Sequence, residues 1–469
     1  MKMKRRIYNK KLSIKPYSLI CLLFLFISEI SFGQNPLIRD QFTADPTARV
    51  IGDKLFIFAS HDIKCDSTQG RPNWFCMEDY HVFSTSNLTD WEDHGMILSQ
   101  YQVPWADSES FSIWAPDGIE KDGKYYFYFP SKANGHHLQG HNPEINGSSF
   151  KIGVAVADSP DGPYVPEKLP IAKVNGIDPN VFIDKDGQAY LYWSQHHFYG
   201  AKLSANMKEL ESEPVVLSQF PDEGLKEGPF LFERNGIYYM TYPHVANNTE
   251  RIEYATANNP LGPFTYQGVI MDESPTNCWT NHQSVVKFKN QWYFFYHHND
   301  YSPDFDKNRS VMADSLFFDE NGLIKKITPT LRGIGLTAAN DKIKLDRYSA
   351  KSNEGYDIEF IDESNPFLGW KSVFDKNGSW VRYNQVDFGN DEPNVLLAKI
   401  NAKEANGHLE FRLGSGNGKL ITTIDISEAQ KWDEHKAILE SEISGIHDLF
   451  LVFNGTGNVE VDWISFKKM

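Results

Sequence analysis

Long apolar runs are nearly missing from this chain of 469 residues. The longest, Leu19 to Ile27, holds nine apolar residues, well short of the ~20 that span a bilayer. It follows a basic segment with Lys2, Lys4, Arg5, Arg6, Lys10, Lys11 and Lys15, and it precedes Ser31-Phe32-Gly33, small at both positions a signal peptidase reads. This layout predicts a secretory leader over residues 1–33, cut after Gly33. The mature chain is expected to be secreted or periplasmic, without a transmembrane segment. Cysteine is scarce as well, four in all. Cys21 lies inside the leader with no small residues before it, which argues against lipid attachment. The remaining Cys65, Cys76 and Cys278 are too few, and odd in number, for a disulfide-built scaffold. Cys65 and Cys76, in a polar loop, stand either as a pair or as two thiols, and no second Cys or His pair nearby suggests zinc. Cationic charge is short too. The formal charge is −16, and the basic leader leaves the remainder near −22. That excludes a general phosphate-tracking surface, so no nucleic-acid partner is expected. A sustained 3.6-residue periodicity is also lacking, which argues against a helical fold.

What the chain does have is aromatic residues, 14% of the total, and one pattern repeated five times. A short polar start leads into an apolar strand, a Gly/Asn/Asp turn and an aromatic strand. The copies run from Asp45-Pro46 to Leu55-Phe56-Ile57-Phe58, from Trp114-Ala115-Pro116-Asp117 to Tyr125–Phe129, and from Asp178-Pro179-Asn180 to Tyr190–Trp193. Two more run from Glu227-Gly228-Pro229 to Tyr238–Tyr242 and from His282-Gln283-Ser284 to Trp292–Tyr296. Turns such as Gly52-Asp53, Asp122-Gly123, Asp186-Gly187 and Asn235-Gly236 are hairpin chemistry, because positive φ is cheap there. A further strand follows each hairpin, giving about four strands per unit. Five such units over residues 34–337 predict an all-β, five-bladed β-propeller. Residues 338–469 change character. Alternation through Trp380–Tyr383, His408–Leu413, Leu449–Phe453 and Val459–Ile464 predicts a separate β-sandwich, jelly-roll-like, domain.

In a propeller the innermost strand of each blade starts at the central channel. Asp45, Asp178 and Glu227 therefore converge from three blades on one pocket. Carboxylates brought together repel, so at least one is expected to stay protonated near neutral pH. Glycoside hydrolysis needs such a set: a proton donor for the leaving oxygen and a base to activate water. Taken singly, Asp-Pro is also a plain turn opener. Trp114 is placed either to stack on a sugar ring or to pack in the core. Trp74, Trp105 and Trp279 are expected in channel-face loops, shaping the pocket or packing. The long connection at 61–80 is expected to wall the site. His136, His137 and His141 read as a polar loop rather than a metal site.

The order Asp45-Pro46, Trp114-Ala115-Pro116-Asp117, Ile177-Asp178-Pro179-Asn180, Lys226-Glu227-Gly228-Pro229 and Asn281-His282-Gln283-Ser284 resembles glycoside hydrolase family 43. The resemblance covers all five blades. It implies a propeller that inverts the anomeric centre and acts on arabinose- or xylose-containing plant polysaccharides or oligosaccharides. Asp45 is then the general base, Glu227 the general acid, and Asp178 the residue that orients the acid and raises its pKa. Arg309 resembles a family arginine aimed at the sugar. His282 matches a channel histidine that contacts calcium or another metal in many members. The rivals are a glycan-binding propeller without activity and an endo-arabinanase or galactanase of the same family. A fructan furanosidase is disfavoured, since its Asn-Asp-Pro-Asn-Gly, Arg-Asp-Pro and Glu-Cys motifs do not occur. Residues 377–383, 386–389, 447–453 and 461–464 resemble carbohydrate-binding module family 6, which implies a sandwich that often holds calcium. Trp370, Trp432 and Asn454 fall near that family's sugar-ligand positions. Asp346-Arg347-Tyr348 departs from its usual Glu-Ala-Glu opening, and Gln430-Lys431 from its Gly-Gly, which places the sugar site in question. The sequence leaves the oligomeric state open.

Overall fold

A computed structural model describes residues 35–65, 72–134, 150–221, 223–302, 304–365, 368–390, 392–427 and 429–469. The leader and His136, His137 and His141 lie outside the described residues. Five antiparallel sheets follow one another in the chain, each a meander. Blade I holds β1 (Thr43–Ile51), β2 (Lys54–His61), β3 (Asp79–Thr85) and β4 (Glu92–Ser99). Blade II holds β5 (Asp117–Lys121), β6 (Lys124–Lys132), β7 (Phe150–Ala157) and β8 (Val165–Pro166). Blade III holds β9 (Ile177–Ile183), β10 (Ala189–Gln195), β11 (His197–Lys202) and β12 (Val215–Val216). Blade IV holds β13 (Phe230–Arg234), β14 (Ile237–Val245), β15 (Glu250–Ala257) and β16 (Thr265–Met271). Blade V holds β17 (Ser284–Phe288), β18 (Gln291–His298) and β19 (Ser310–Leu316).

The aromatic strands fill the spaces between blades, where both faces of each sheet are covered. Phe58 and Tyr80 meet Phe127 and Phe129 between blades I and II. Tyr128 and Val154 meet Leu191 and Trp193 between II and III. Tyr192 and Phe198 meet Met240 and Tyr242 between III and IV. Tyr239 and Tyr254 meet Phe294 and Tyr296 between IV and V, and Phe295 and Val311 meet Leu55 and Ile57 between V and I. Around the channel, polar side chains link each inner strand to the next. The Thr47 hydroxyl donates to the Pro116 carbonyl (2.9 Å), and Arg49 forks onto Asp117 at 2.6 and 2.8 Å. Asp117 accepts from the Val181 amide (2.6 Å), and Asn180 from the Leu231 amide (2.8 Å). The Gln283 amide donates to the Gly228 carbonyl (3.0 Å), and the Ser284 hydroxyl accepts from the Ala48 amide (3.0 Å). Every blade junction is thus bridged at the channel.

The ring closes through residues 35–37. The Leu37 amide bonds the Val311 carbonyl (2.9 Å). The buried Asn35 side chain donates to the Ala313 carbonyl (3.1 Å) and accepts from the Ala313 amide (2.8 Å), so this segment runs beside β19 as its outer neighbour.

Sandwich strands follow: β20 (Thr337–Ala338), β21 (Ala350–Lys351), β22 (Tyr356–Phe360), β23 (Trp370–Phe374), β24 (Trp380–Asp387), β25 (Val395–Leu413), β26 (Lys419–Ile426), β27 (Ala429–Ile438) and β28 (Ile446–Lys467). The long β25 and β28 pair antiparallel along most of their length, and β28 also pairs β23 and β24. Their inward residues build one core with Phe374, Tyr383, Leu409, Phe411, Leu451, Phe453 and Ile464. That core draws on residues 339–466 alone, which makes the sandwich a domain with its own interior.

Candidate active site

Two β-bulges aim the first carboxylates. β1 slips register between Ala44 and Thr47, and β9 slips opposite Tyr192 and Ser194. At these slips Asp45 (φ 52°) and Asp178 (φ 57°) adopt left-handed backbone, each followed by a proline that has no N–H to give the ladder. Left-handed backbone in a non-glycine residue is strained and concentrates at functional sites. Blade IV solves the same problem differently. Gly228 (φ 56°) takes the left-handed position before Pro229, and the acid sits one residue earlier, on the longer Glu227. A Cβ on Gly228 would lie 2.9 Å from Pro243 and 3.1 Å from the His282 ring, so only glycine fits there.

The three carboxylates line one pocket of about 260 Å³ at the mouth of the channel. Trp74, Phe75, Trp114, Trp279, His282 and Arg309 are among the other residues of its wall. The Cys65–Cys76 disulfide (Cα–Cα 5.9 Å) closes the loop that brings in Trp74 and Phe75. Trp105 is elsewhere: fully buried, it stacks on Phe129 (5.8 Å) within the core between blades I and II.

The pocket divides its charges. Burial alone would raise the Asp45 carboxyl, but the Arg309 guanidinium, then His297 and His282, and last the Ser60 hydroxyl outweigh it and hold the group below the ordinary carboxylate range. Arg309 Nη1 donates to Asp45 Oδ1 (2.9 Å), and the Ser60 hydroxyl donates to Oδ2 (2.8 Å). Burial and the neighbouring Glu227 raise Asp178, against the pull of His282 and the Gly228 amide (2.9 Å). Glu227 is raised by burial, with Asp45 adding to the effect. The carboxyls are thus displaced in opposite directions, Asp45 downwards and Asp178 and Glu227 upwards, the kind of split that can separate a base from an acid.

Sequence reasoning missed three supporting residues. Asp62, fully buried, accepts from the Arg309 amide (2.9 Å), Nε (2.9 Å) and Nη2 (2.8 Å). The expected sugar-facing arginine thus spends its guanidinium on two aspartates. His297 Nδ1 accepts the Asp45 amide (3.1 Å), so Nε2 carries the proton and donates to the Thr280 carbonyl (3.1 Å). Burial, then Arg309, pushes this imidazole well below its usual value, keeping it neutral. The third is Glu250, buried with its carboxyl beside that of Glu227. It sits in Asn247-Asn248-Thr249-Glu250-Arg251, which reads as an ordinary solvated turn.

Among the described residues, the pocket does not assemble a calcium shell around His282. His282 lines the pocket, but calcium takes six to eight oxygens, and one imidazole does not build that shell. Donor atoms with metal-ligand spacing gather at His61, Asp79 and His81, within 4.8 Å of one another, where His61 and Asp79 are already ion-paired at 2.8 Å. In the sandwich two buried acids are matched by ammonium groups, while Asp346, also buried, meets the Arg347 guanidinium (3.3 Å) and keeps one oxygen without a partner. Asp462 pairs with Lys344 and with Lys399 (2.9 Å), and Glu460 with Lys371 (2.7 Å). Asp462 and Glu460 are thus already neutralised by lysines.

The three sandwich residues expected to bind sugar are not brought together. Trp370 stacks on Phe360 (4.1 Å) and meets Tyr301 of the propeller edge-on (5.7 Å). Strands β28 and β25 stand between β23, which carries Trp370, and β27, which carries Trp432. Asn454 pairs His408, seven residues along β25 from Asn401 near Trp432, a separation of about 20 Å at strand rise.

A five-bladed ring with three carboxyls of opposed displacement in one small aromatic-walled pocket fits a glycoside hydrolase. Residues 33–324 match Glycosyl hydrolases family 43, and residues 348–468 match Carbohydrate binding module (family 6). The chain belongs to glycosyl hydrolase family 43. It is 33% identical to xylosidase/arabinosidase 43A of Humicola insolens, over 62% of this chain and 98% of that protein. It is 27% identical to the arabinoxylan arabinofuranohydrolase of Bacillus subtilis (strain 168), over 91% of this chain and 90% of that one. A solved β-xylosidase/α-arabinofuranosidase from a compost metagenome, in complex with xylotriose, superposes with a TM-score of 0.56 at 32% identity, covering 64% of this chain and 98% of that one.

Proposed function

We propose that this chain is a secreted, inverting exo-glycosidase that releases α-L-arabinofuranosyl or β-D-xylosyl units from plant polysaccharide side chains or oligosaccharides. Asp45 removes a proton from water as that water attacks the anomeric carbon. Glu227 gives its proton to the departing oxygen. Asp178, hydrogen-bonded to the Gly228 amide beside the acid, orients Glu227 and keeps it protonated. The observation that carries this reading is the opposite displacement of Asp45 and of the Asp178–Glu227 pair within one pocket. A pocket of about 260 Å³ suits one terminal sugar ring better than the middle of a polymer, which favours exo over endo action. The named activities of the relatives support the choice of pentoses. Export is supported by the Cys65–Cys76 bridge, which fits an oxidising compartment. A cut after Gly33 also leaves Asn35, buried in the ring closure, in the mature chain.

The test is proton NMR in the first minutes of digestion of arabinoxylan, arabinan and xylo-oligosaccharides by the mature chain. The expected product is arabinose or xylose of inverted anomeric configuration. Asp45→Asn and Glu227→Gln should each lower kcat about 10²- to 10⁴-fold. Retained configuration would overturn the assignment of base and acid.

A further inference from the structure

Glu250 opens β15 and is 1% exposed. Its amide donates to the Trp279 carbonyl (3.2 Å), which fixes the backbone at the pocket wall. Its Oε2 accepts the Asn281 amide at 2.5 Å. Its Oε1 is buried and no protein donor faces it. The group beside Glu250 is the other carboxyl, Glu227, within reach of a side-chain hydrogen bond. Two carboxylates cannot make that bond without a proton between them. The oxygen with no donor of its own is the one that carries it.

We propose that Glu250 is a neutral carboxylic acid whose O–H donates to the inner oxygen of Glu227, making it the positioning residue for the proton donor. The inference rests on the reading of Glu227 as general acid. Held this way, Glu227 turns its outer oxygen, with its own proton, to the pocket. When that proton passes to the departing sugar oxygen, the new Glu227 carboxylate already has a charge-assisted hydrogen bond from Glu250. The O–H bond of Glu227 breaks and the alcohol O–H bond forms, while the Glu250 proton stays on Glu250. The arrangement selectively stabilises the state formed in the transition state, which raises kcat rather than affinity.

The surrounding charges fit a neutral Glu250. Glu227 and Asp178 are the charges that act on it from the front. Arg309 lies across the pocket and is engaged by Asp45 and Asp62, and His282 lies one residue beyond Asn281. Further along the strand of Glu250, Glu253 pairs with Arg251 (2.5 Å) and with His244 of β14 (3.0 Å). The Lys226 ammonium donates to the Glu223 and Gly224 carbonyls, both at 2.9 Å. Burial and Glu227 both push the Glu250 carboxyl well above its ordinary value.

The experiment compares Glu250→Gln with Glu250→Ala on two substrates, one an aryl glycoside whose leaving group needs no proton and one a xylo- or arabino-oligosaccharide that does. Glutamine keeps a neutral donor, so Glu250→Gln should hold kcat on the oligosaccharide within about threefold and leave the basic limb of the pH profile in place. Glu250→Ala removes the donor and should lower that kcat about 10- to 100-fold, the size of one hydrogen bond to a charged group. On the aryl glycoside it should change little, and KM should hold on both. Equal losses on both substrates would overturn the proposal, as would a basic limb moved to lower pH in Glu250→Gln, which would mark an ionised Glu250. Infrared difference spectra of wild type against Glu250→Gln at neutral pH provide a readout independent of turnover and of the alanine variant's folding. A protonated carboxyl band is expected, and its absence overturns the proposal. An active Glu227→Gln enzyme would instead remove the acid assignment itself, leaving the infrared test of Glu250 intact.

Discussion

Asp45 and Asp178 share a residue type, a following proline and a left-handed backbone at matching points of two blades, yet they titrate in opposite directions. What differs is the neighbour. Asp45 faces the Arg309 guanidinium, whereas Asp178 faces Glu227. This makes Asp178 a residue that costs the fold stability at neutral pH. A carboxyl whose folded-state pKa lies above its unfolded value binds its proton more tightly in the native state. Stability is full below the unfolded value and is lost as pH rises towards the folded one. Asp178→Asn removes the loss, and its carbonyl can still accept from the Ser194 hydroxyl and the Gly228 amide, now at 3.2 and 2.9 Å. Urea unfolding at pH 8 should find the variant more stable than wild type by roughly 1–3 kcal/mol. The difference should close as pH falls below 4, while kcat drops by about 10²-fold. Equal stability at pH 8 would mean that Asp178 is not strained by its surroundings.

At the scale of elements, the loop between β2 and β3 is where a covalent bond shapes the substrate wall. The Cys65–Cys76 bridge holds a stretch that ends in Trp74 and Phe75. Phe75 lies under the Arg309 guanidinium (4.9 Å) and edge-on to Trp74 (5.4 Å) and Trp114 (6.4 Å), so the loop joins the pocket wall to the arginine that holds Asp45. The double variant Cys65→Ser/Cys76→Ser should lose about 2–4 kcal/mol in urea unfolding, as a short closed loop implies. Its KM should rise about 3- to 10-fold with kcat within twofold, because the wall binds ground and transition states alike. A fall in kcat with unchanged KM would place the loop in the chemistry instead. The blades were legible in sequence because each repeats the same turn chemistry and aromatic strand, and the carboxylates because they recur at one point of that repeat. Asp62, His297 and Glu250 recur nowhere in the pattern. They reach the pocket through register and bulges, which adjacent residues do not reveal. The loop at 61–80 was readable as a wall from its length, but the pairing of its cysteines was not.

For the whole molecule, the sandwich is fastened to the propeller at the point where the ring closes. Arg347 donates to the Asn35 carbonyl (2.7 Å) and lies over the Tyr301 ring (4.1 Å), and Trp370 packs against the same tyrosine. Tyr301 follows β18, whose end carries His297 beneath Asp45. A residue type that sequence similarity marks for sugar thus serves here at a seam between domains. Aromatic residues suit both tasks, and only the neighbours decide which one is performed. Trp370→Ala should therefore lower the thermal unfolding midpoint, by a contact worth about 1–2 kcal/mol. It should leave retention on insoluble arabinoxylan, measured with the inactive Glu227→Gln background, as it was. Lost retention with an unchanged midpoint would return Trp370 to the sugar site and remove it from the seam. A lowered midpoint with full retention would fix the sandwich as part of what keeps the ring closed, with any sugar it holds bound on another face.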